Sequence, residues 1–291
     1  MASLKEIKGR ISGTTSTQKV TSAMKMVASA KLNKAQLQVN RFMPYENKAA
    51  EILQALLASD VEIDNDLLKE RPVKRVAIVV ISSNSGLCGA FNVNMQKMLA
   101  DRLKFYRDLG EDNIELYPLG KKITECIFKN YAGDFVHTEY NQLTDKPDFS
   151  GAKELGDRLM KDFTDKKIDK VEILYNHPKS SAVQLPTMQQ LLPVIFEKKE
   201  TAQALKADYI IEPDKKSVFD FLIPKSLYNK IYLTFLGSMV AEYAARTVAM
   251  QIATDNATDL LDELNVLYNK QRQQKITNEL LDIVSGSEAL K

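Results

Sequence analysis

Between Ser82 and Gly89 the chain reads Ser-Ser-Asn-Ser-Gly-Leu-Cys-Gly, directly after the apolar, β-branched run Val76-Ala-Ile-Val-Val-Ile81. A turn that leaves a buried strand and enters a helix is a place where backbone N–H groups can cradle a phosphate. The groups that complete such a cradle are missing. No Lys-Ser/Thr pair closes the loop, no G-x-G-x-x-G is present, and no acidic residue stands at the expected strand end about 20 residues on. The other reading is a tight strand-to-helix turn in which Gly86 and Gly89 supply backbone freedom. Cys88 in this turn is either a nucleophile activated at a helix N-terminus or a small buried thiol. No histidine lies near it in sequence.

Other reactive side chains are sparse. The histidines are His137 and His177, and the cysteines are Cys88 and Cys126, 38 residues apart and outside any CxxC pair. No zinc site is readable from that set. Asp262-Glu263 reads as a solvated helix face. Nothing matches a triad, an acid–base carboxylate pair or a metal cluster, so no catalytic, cofactor or metal residue is expected. Lys5, Lys8, Arg10, Lys19, Lys25, Lys31 and Lys34 make a basic arm in which Glu6 is the single acid. The net charge of +2 and the lack of aromatic residues before Phe42 speak against nucleic acid. An acidic protein surface suits the arm better. No apolar run reaches the ~18 residues of a membrane span, and the N-terminus lacks the h-region of a signal peptide.

The elements around these residues are announced by missing Gly and Pro. Thr14 to Met43 holds neither, and Ser238 to Ser285, 48 residues, holds neither. A helix of that second length runs on the order of 70 Å and needs a partner to cover it. Val20, Met24 and Val27, flanked by Ala23 and Ala30, make an apolar stripe in the first stretch. Leu236, Val240, Ala244 and Val248, then Leu260, Leu264 and Leu267, then Ile276, Leu280 and Ile283, make one in the second. The expectation is a two-stranded coiled coil of N- and C-terminal helices, antiparallel and without strict heptads.

The middle alternates. Val76–Ile81 reads as a strand buried on both faces of a parallel sheet. Helices are expected at Asn92–Leu109, Lys121–Tyr131 and Gly151–Phe163, and strands at Ile114–Leu119, Val171–Tyr175 and Ala182–Leu192. Glu197–Ala207 reads as a polar linker or helix. The fold class is therefore α/β plus long helices: an antiparallel coiled coil with a central Rossmann-like α/β domain. The expected segments are an N-terminal coiled-coil helix over 1–60, the α/β domain over 75–196, and a foot segment with the long C-terminal helix over 208–291.

Three stretches resemble one family. Thr17-Gln-Lys-Val-Thr-Ser-Ala-Met-Lys-Met-Val-Ala-Ser-Ala-Lys-Leu32 is similar to the N-terminal helix of the gamma subunit of F-type ATP synthases. Ala245-Arg-Thr-Val-Ala-Met-Gln-Ile-Ala-Thr-Asp-Asn256 and Leu267-Tyr-Asn-Lys-Gln-Arg-Gln-Gln-Lys-Ile-Thr-Asn-Glu-Leu-Leu-Asp-Ile-Val-Ser-Gly286 are similar to its C-terminal helix. The Gly-Leu-Cys-Gly89 turn resembles the family's central loop, with Asn84-Ser85 where the family often has Asp-Arg.

The resemblance implies a rotor without a catalytic site of its own. The family's central stalk turns with the c-ring under proton (or sodium) flow. It forces the catalytic beta subunits in turn through their nucleotide-binding states, and ATP hydrolysis drives the reverse. The implied partners are the alpha and beta subunits, the epsilon subunit and the c-ring, with one copy of this chain per complex. By motif, Met24 and Lys25 match positions facing the lever segment of beta, and Arg246 the Arg of Ala-Arg-x-x-Ala-Met. Arg272 and Gln273 match a pair that meets a catch loop of beta, with Thr277 and Glu279 nearby. Tyr209 and Glu212 match the foot near the c-ring and epsilon. The implied location is the cytoplasmic side of the bacterial plasma (inner) membrane, as a peripheral subunit.

Overall fold

The structure is a computed structural model that describes every residue except 1–2, 58–64, 132–134, 145–146, 181, 196–210, 213 and 290–291. In chain order the elements are α1 (Leu4–Leu57), β1 (Val76–Ile81), α2 (Phe91–Phe105), β2 (Ile114–Leu119), α3 (Lys121–Asn130), α4 (Phe149–Thr164), β3 (Lys170–Pro178), β4 (Gln184–Leu192) and α5 (Lys215–Ala289). The chain divides into two units, residues 1–29 with 246–291, and residues 30–245.

In the second unit the sheet order is β2-β1-β3-β4. β1 pairs parallel with both β2 and β3, whereas β4 returns antiparallel beside β3. All six residues of β1 are buried, as a central strand covered on both faces requires. The strand alternation splits them cleanly. Val76, Ile78 and Val80 pack with Leu99 of α2 and Ile123 and Ile127 of α3. Ala77, Val79 and Ile81 pack with Leu155, Leu159 and Phe163 of α4 and with α5. The α5 contribution is Phe219, Ile223, Leu227, Ile231 and Phe235, one residue every four. The first part of α5 is thus a wall of the α/β core.

The long helices exceed what missing Gly and Pro marked out. α1 has 54 residues and runs through Pro44; α5 has 75 and runs through Pro224. A proline removes one N–H and normally ends a helix. Here packing on both sides holds the axis. Phe42 meets Tyr232 edge-on at 5.0 Å before Pro44, and Leu53 and Leu56 enter the core after it. Pro224 is bracketed by buried Phe219, Ile223 and Leu227. The expected helix Asn92–Leu109 is shorter. α2 stops at Phe105, and Arg107–Leu109 is a separate 3₁₀ turn closed by Gly110 at φ 82°. The segment Glu197–Ala207 lies outside the described residues.

Candidate functional site

The unit of residues 1–29 and 246–291 is a pair of antiparallel helices. Gln18 Nε2 donates to Thr258 Oγ1 at 2.7 Å, and the Thr21 and Thr254 hydroxyls hydrogen-bond at 2.8 Å. Ile7, Thr21 and Ala28 are buried on α1, with Thr14 half-buried between them; Met250, Ala257 and Leu264 are buried on α5. Both sets recur every seven residues, the repeat of a coiled-coil seam. The seam is therefore stricter than its sequence suggested, and it is built largely from small and hydroxyl residues.

The apolar stripe on α1 does not face the partner helix. Val20, Met24 and Val27 are 55%, 42% and 58% exposed. Val20 and Val27 each precede a seam position by one residue, a rotation of about 100°. Thr21 and Ala28 take the seam because small side chains let the two backbones approach, and the larger side chains are turned to the flank. On α5 the seam takes the larger Met250 and Leu264 beside small Ala257, while Leu260 and Leu267 are exposed.

Met24 and half-buried Lys25 lie on α1 opposite the stretch around Met250 in this register, and half-buried Arg246 lies about one turn away along α5. Arg272 is roughly 40 Å further along the same helix at ~1.5 Å per residue. The register brings Leu4, the first residue of α1, opposite residue 272, and residues 272–287 of α5 are all exposed. Arg272, Gln273, Thr277 and Glu279 all stand on this exposed length of helix. The Thr277 hydroxyl donates to the Gln273 carbonyl at 3.0 Å, and Glu279 pairs with Lys275 at 3.5 Å. Such an exposed pair holds little energy and is open to rearrangement. Ile276, Leu280 and Ile283 share the segment and are 49–68% exposed. Glu212 is exposed in the second unit, and Tyr209 lies outside the described residues.

In the second unit the loop after β1 turns its polar groups inward. Ser82 Oγ accepts the Ile123 N–H at 3.0 Å, at the start of α3. The Ser83 N–H donates to Asn92 Oδ1 at 3.1 Å, and Asn92 Nδ2 reaches Ser83 Oγ at 2.8 Å and Cys88 Sγ at 3.2 Å. Asn84 Oδ1 accepts the Lys121 N–H at 2.8 Å. Gly89 takes a left-handed φ of 59° as expected, but Leu87 at φ 62°, rather than Gly86, takes the other. In open α/β sheets ligands bind at the carboxyl ends of the strands, where strand order reverses. Beyond β1, Cys88 of the loop and Phe91 at the start of α2 pack against Ala241 and Ala245 of α5. Cys88 is a buried thiol.

Sequence reasoning had no handle on two further features. Glu172 of β3 is fully buried and bound by Arg102 of α2 through two hydrogen bonds, by the Tyr106 hydroxyl and by Lys170. His137 stacks on Tyr117 at 4.5 Å and lies 3.5 Å from Glu115, which raises the His137 pKa and lowers that of Glu115. Among the described residues no group of three or more His, Cys, Asp or Glu is placed to hold a metal, and no helix is long and apolar enough to cross a membrane.

A family model described as ATP synthase matches residues 3–290. An ATP synthase gamma chain of Azobacteroides pseudotrichonymphae is 50% identical over 291 residues, covering all of both chains. One of Bacteroides fragilis is 50% identical over 292 residues, covering 99% of this chain and 100% of the other. One of Flavobacterium johnsoniae is 42% identical over 291 residues, covering 100% and 99%. Among solved structures, a chain of the Euglena gracilis mitochondrial ATP synthase OSCP/F1/c-ring assembly aligns with TM-score 0.65 at 20% identity, over 99% of this chain and 94% of that one. A chain of the Tetrahymena thermophila mitochondrial ATP synthase central stalk and c-ring aligns with TM-score 0.56 at 20% identity, over 80% and 99%. The structural likenesses carry the fold. The full-length sequence matches carry the family: the chain belongs to the ATP synthase gamma chain family.

Proposed function

We propose that this chain is the central rotor shaft of an F-type ATP synthase, coupling ion-driven rotation of a c-ring to ATP synthesis, or hydrolysis, on the beta subunits. The observation that supports it best is the exposed length of α5. Residues 272–287 carry charges and large apolar side chains on a helix that is exposed among the described residues. A bare apolar helix of that kind calls for a surrounding protein. The chemistry stays on other subunits, and this chain contributes an asymmetric surface. A fixed charge at one angle of the shaft meets one beta subunit at a time and biases its conformational equilibrium.

In this reading Met24, Lys25 and Arg246 meet beta near the middle of the paired helices. Arg272, Gln273, Thr277 and Glu279 meet it beyond the end of α1. Tyr209 and Glu212 belong to a foot that stands on the c-ring and the epsilon subunit. Residues 1–60, 75–196 and 208–291 serve as N-terminal shaft helix, α/β body, and foot with C-terminal shaft. One copy serves each complex, on the cytoplasmic face of the bacterial inner membrane, without cofactor or nucleic acid.

Co-purification of the tagged full-length chain with its native alpha and beta subunits tests the proposal, with ATPase measured on each fraction. A stoichiometric complex containing one copy, with turnover reduced by Arg272→Ala and Gln273→Ala, is the expected result. A chain that runs alone and itself binds or hydrolyses nucleotide removes the rotor reading.

A further inference from the structure

Within the unit of residues 30–245, a cavity of about 240 Å³ lies where the end of α2, the end of α3 and the start of β2 come together. Buried Ile114 and Leu116 of β2 line it with Leu103 of α2 and the rings of Tyr131 and Phe135. All five belong to, or pack on, the same apolar cluster. The volume is that of about eight waters at ~30 Å³ each, just under the roughly 300–1,000 Å³ of common ligand sites. It suits a compact ligand, a single ring with one head group.

Two cations stand in the lining, Lys104 and Arg107, and among the described residues no acid does. Both are exposed, and neither side chain forms an ion pair or hydrogen bond with a described residue. Other cations of these helices are engaged: Arg102 of α2 is held by Glu172, and Lys122 of α3 by Glu125. Part of the positive charge is already answered. Lys104 is in the last turn of α2, and Tyr131 is the C-cap of α3, so two helices end at this cavity. Each helix C-terminus carries roughly −0.5 charge, and two of them against two cations leave a net of about +1. A single negative charge balances it.

We propose that this cavity binds a small aromatic monoanion, a carboxylate carried on a single ring. The Arg107 guanidinium offers the paired N–H donors that match a carboxylate, and Lys104 adds a point charge. The ring lies against Leu103, Tyr131 and Phe135, where aromatic pairs gain from offset or edge-on contact. A neutral ring leaves the two cations unanswered. A dianion exceeds the local charge, and an acyclic anion leaves the apolar lining uncovered. The site is independent of the rotor reading, because none of its residues is among those proposed to meet other subunits.

Benzoate is the probe, titrated by saturation-transfer NMR onto the full-length chain. Benzamide supplies the ring without the charge, and acetate the charge without the ring. The expected result is saturable benzoate binding, at least tenfold tighter than either control. Arg107→Gln removes the fork, and Ala100→Phe, at a lining position on α2, fills the cavity. Each weakens benzoate at least fivefold, whereas Arg107→Lys, which keeps the charge, retains part of the affinity. Ala100 and Arg107 are both exposed, so the variants keep the fold. Absence of saturable benzoate binding overturns the proposal, as does benzamide or acetate binding equally well, or affinity unchanged in Arg107→Gln or Ala100→Phe.

Discussion

Arg102→Met isolates one buried carboxylate and predicts a large loss. Arg102 Nη2 lies 2.6 Å from Glu172 Oε1 and Nε 2.9 Å from Oε2, so the guanidinium holds the carboxylate in a fork. The Glu172 side chain has no solvent exposure, and that of Arg102 has 18%. Removing the cation leaves Glu172 with the Tyr106 hydroxyl at 2.6 Å and Lys170 at 3.1 Å. Breaking a buried pair from one side typically costs about 3–5 kcal/mol. The two surviving partners place this case near the low end, about 3 kcal/mol. Removing both charges together is a different perturbation. Arg102→Met with Glu172→Leu replaces the pair by apolar volume and leaves the Tyr106 hydroxyl to find another acceptor. Its expected loss is about 1–2 kcal/mol, the scale of one buried unsatisfied group. Urea denaturation of the full-length chain, followed by circular dichroism, measures both. A single variant that loses less than about 1 kcal/mol, or a double variant less stable than the single, refutes the reasoning that Glu172 is a buried charge dependent on Arg102.

Three further outcomes are expected. Gly156→Ala sets a Cβ 2.7 Å from Tyr228 Cδ1 and 3.4 Å from Ile231 Cδ1. Overpacking of about 1–3 kcal/mol outweighs the ~1 kcal/mol gained in helix propensity, so thermal unfolding shifts down by a few degrees. Ending the chain after Gln271 removes only exposed side chains from the described residues of α5, so it leaves the unfolding free energy within about 0.5 kcal/mol while lowering ATPase turnover of the assembled complex. The His137–Glu115 pair makes stability pH-dependent. His137 is raised from 6.5 by its bond to Glu115, so its contribution is full below 6.5 and is lost as pH climbs through the raised value. Glu115 is lowered from 4.5, chiefly by its bond to His137, so its contribution is present above 4.5 and is lost as pH falls through the lowered value. The gap between the parent chain and Glu115→Gln, read from denaturation midpoints, is therefore widest between pH 4.5 and 6.5, at under about 1 kcal/mol.

The strand core was readable because burial on both faces demands a continuous apolar run, and Val76–Ile81 is one. Helix existence was readable from long stretches without Gly or Pro, but those stretches by themselves are shorter than α1 and α5. Pro44 and Pro224 are overridden by aromatic and aliphatic packing that lies far away in sequence. The seam was misread for a physical reason. Hydrophobicity marks the side chains that gain most from burial, and it favours Val20, Met24 and Val27 over Thr21 and Ala28. Close-packed helices instead select for size, and Thr21 and Ala28 win. The seven-residue recurrence of Ile7, Thr14, Thr21 and Ala28 was the signal available. The antiparallel return of β4 leaves no mark in a chain that can reach either side of β3. The shaft residues Arg272 and Gln273 came from resemblance alone, since in periodicity and exposure they match every other residue around them. Glu172 and Arg102 were invisible because a buried charge looks like a surface residue until the fold surrounds it.

Rotation itself is the most direct test. With the alpha and beta subunits fixed to a surface, a bead is attached through a cysteine introduced at exposed Phe128 of α3 and watched under ATP. The account predicts continuous rotation in one direction that stops when ATP is removed. An assembled complex that hydrolyses ATP at full rate while this chain stays still contradicts it.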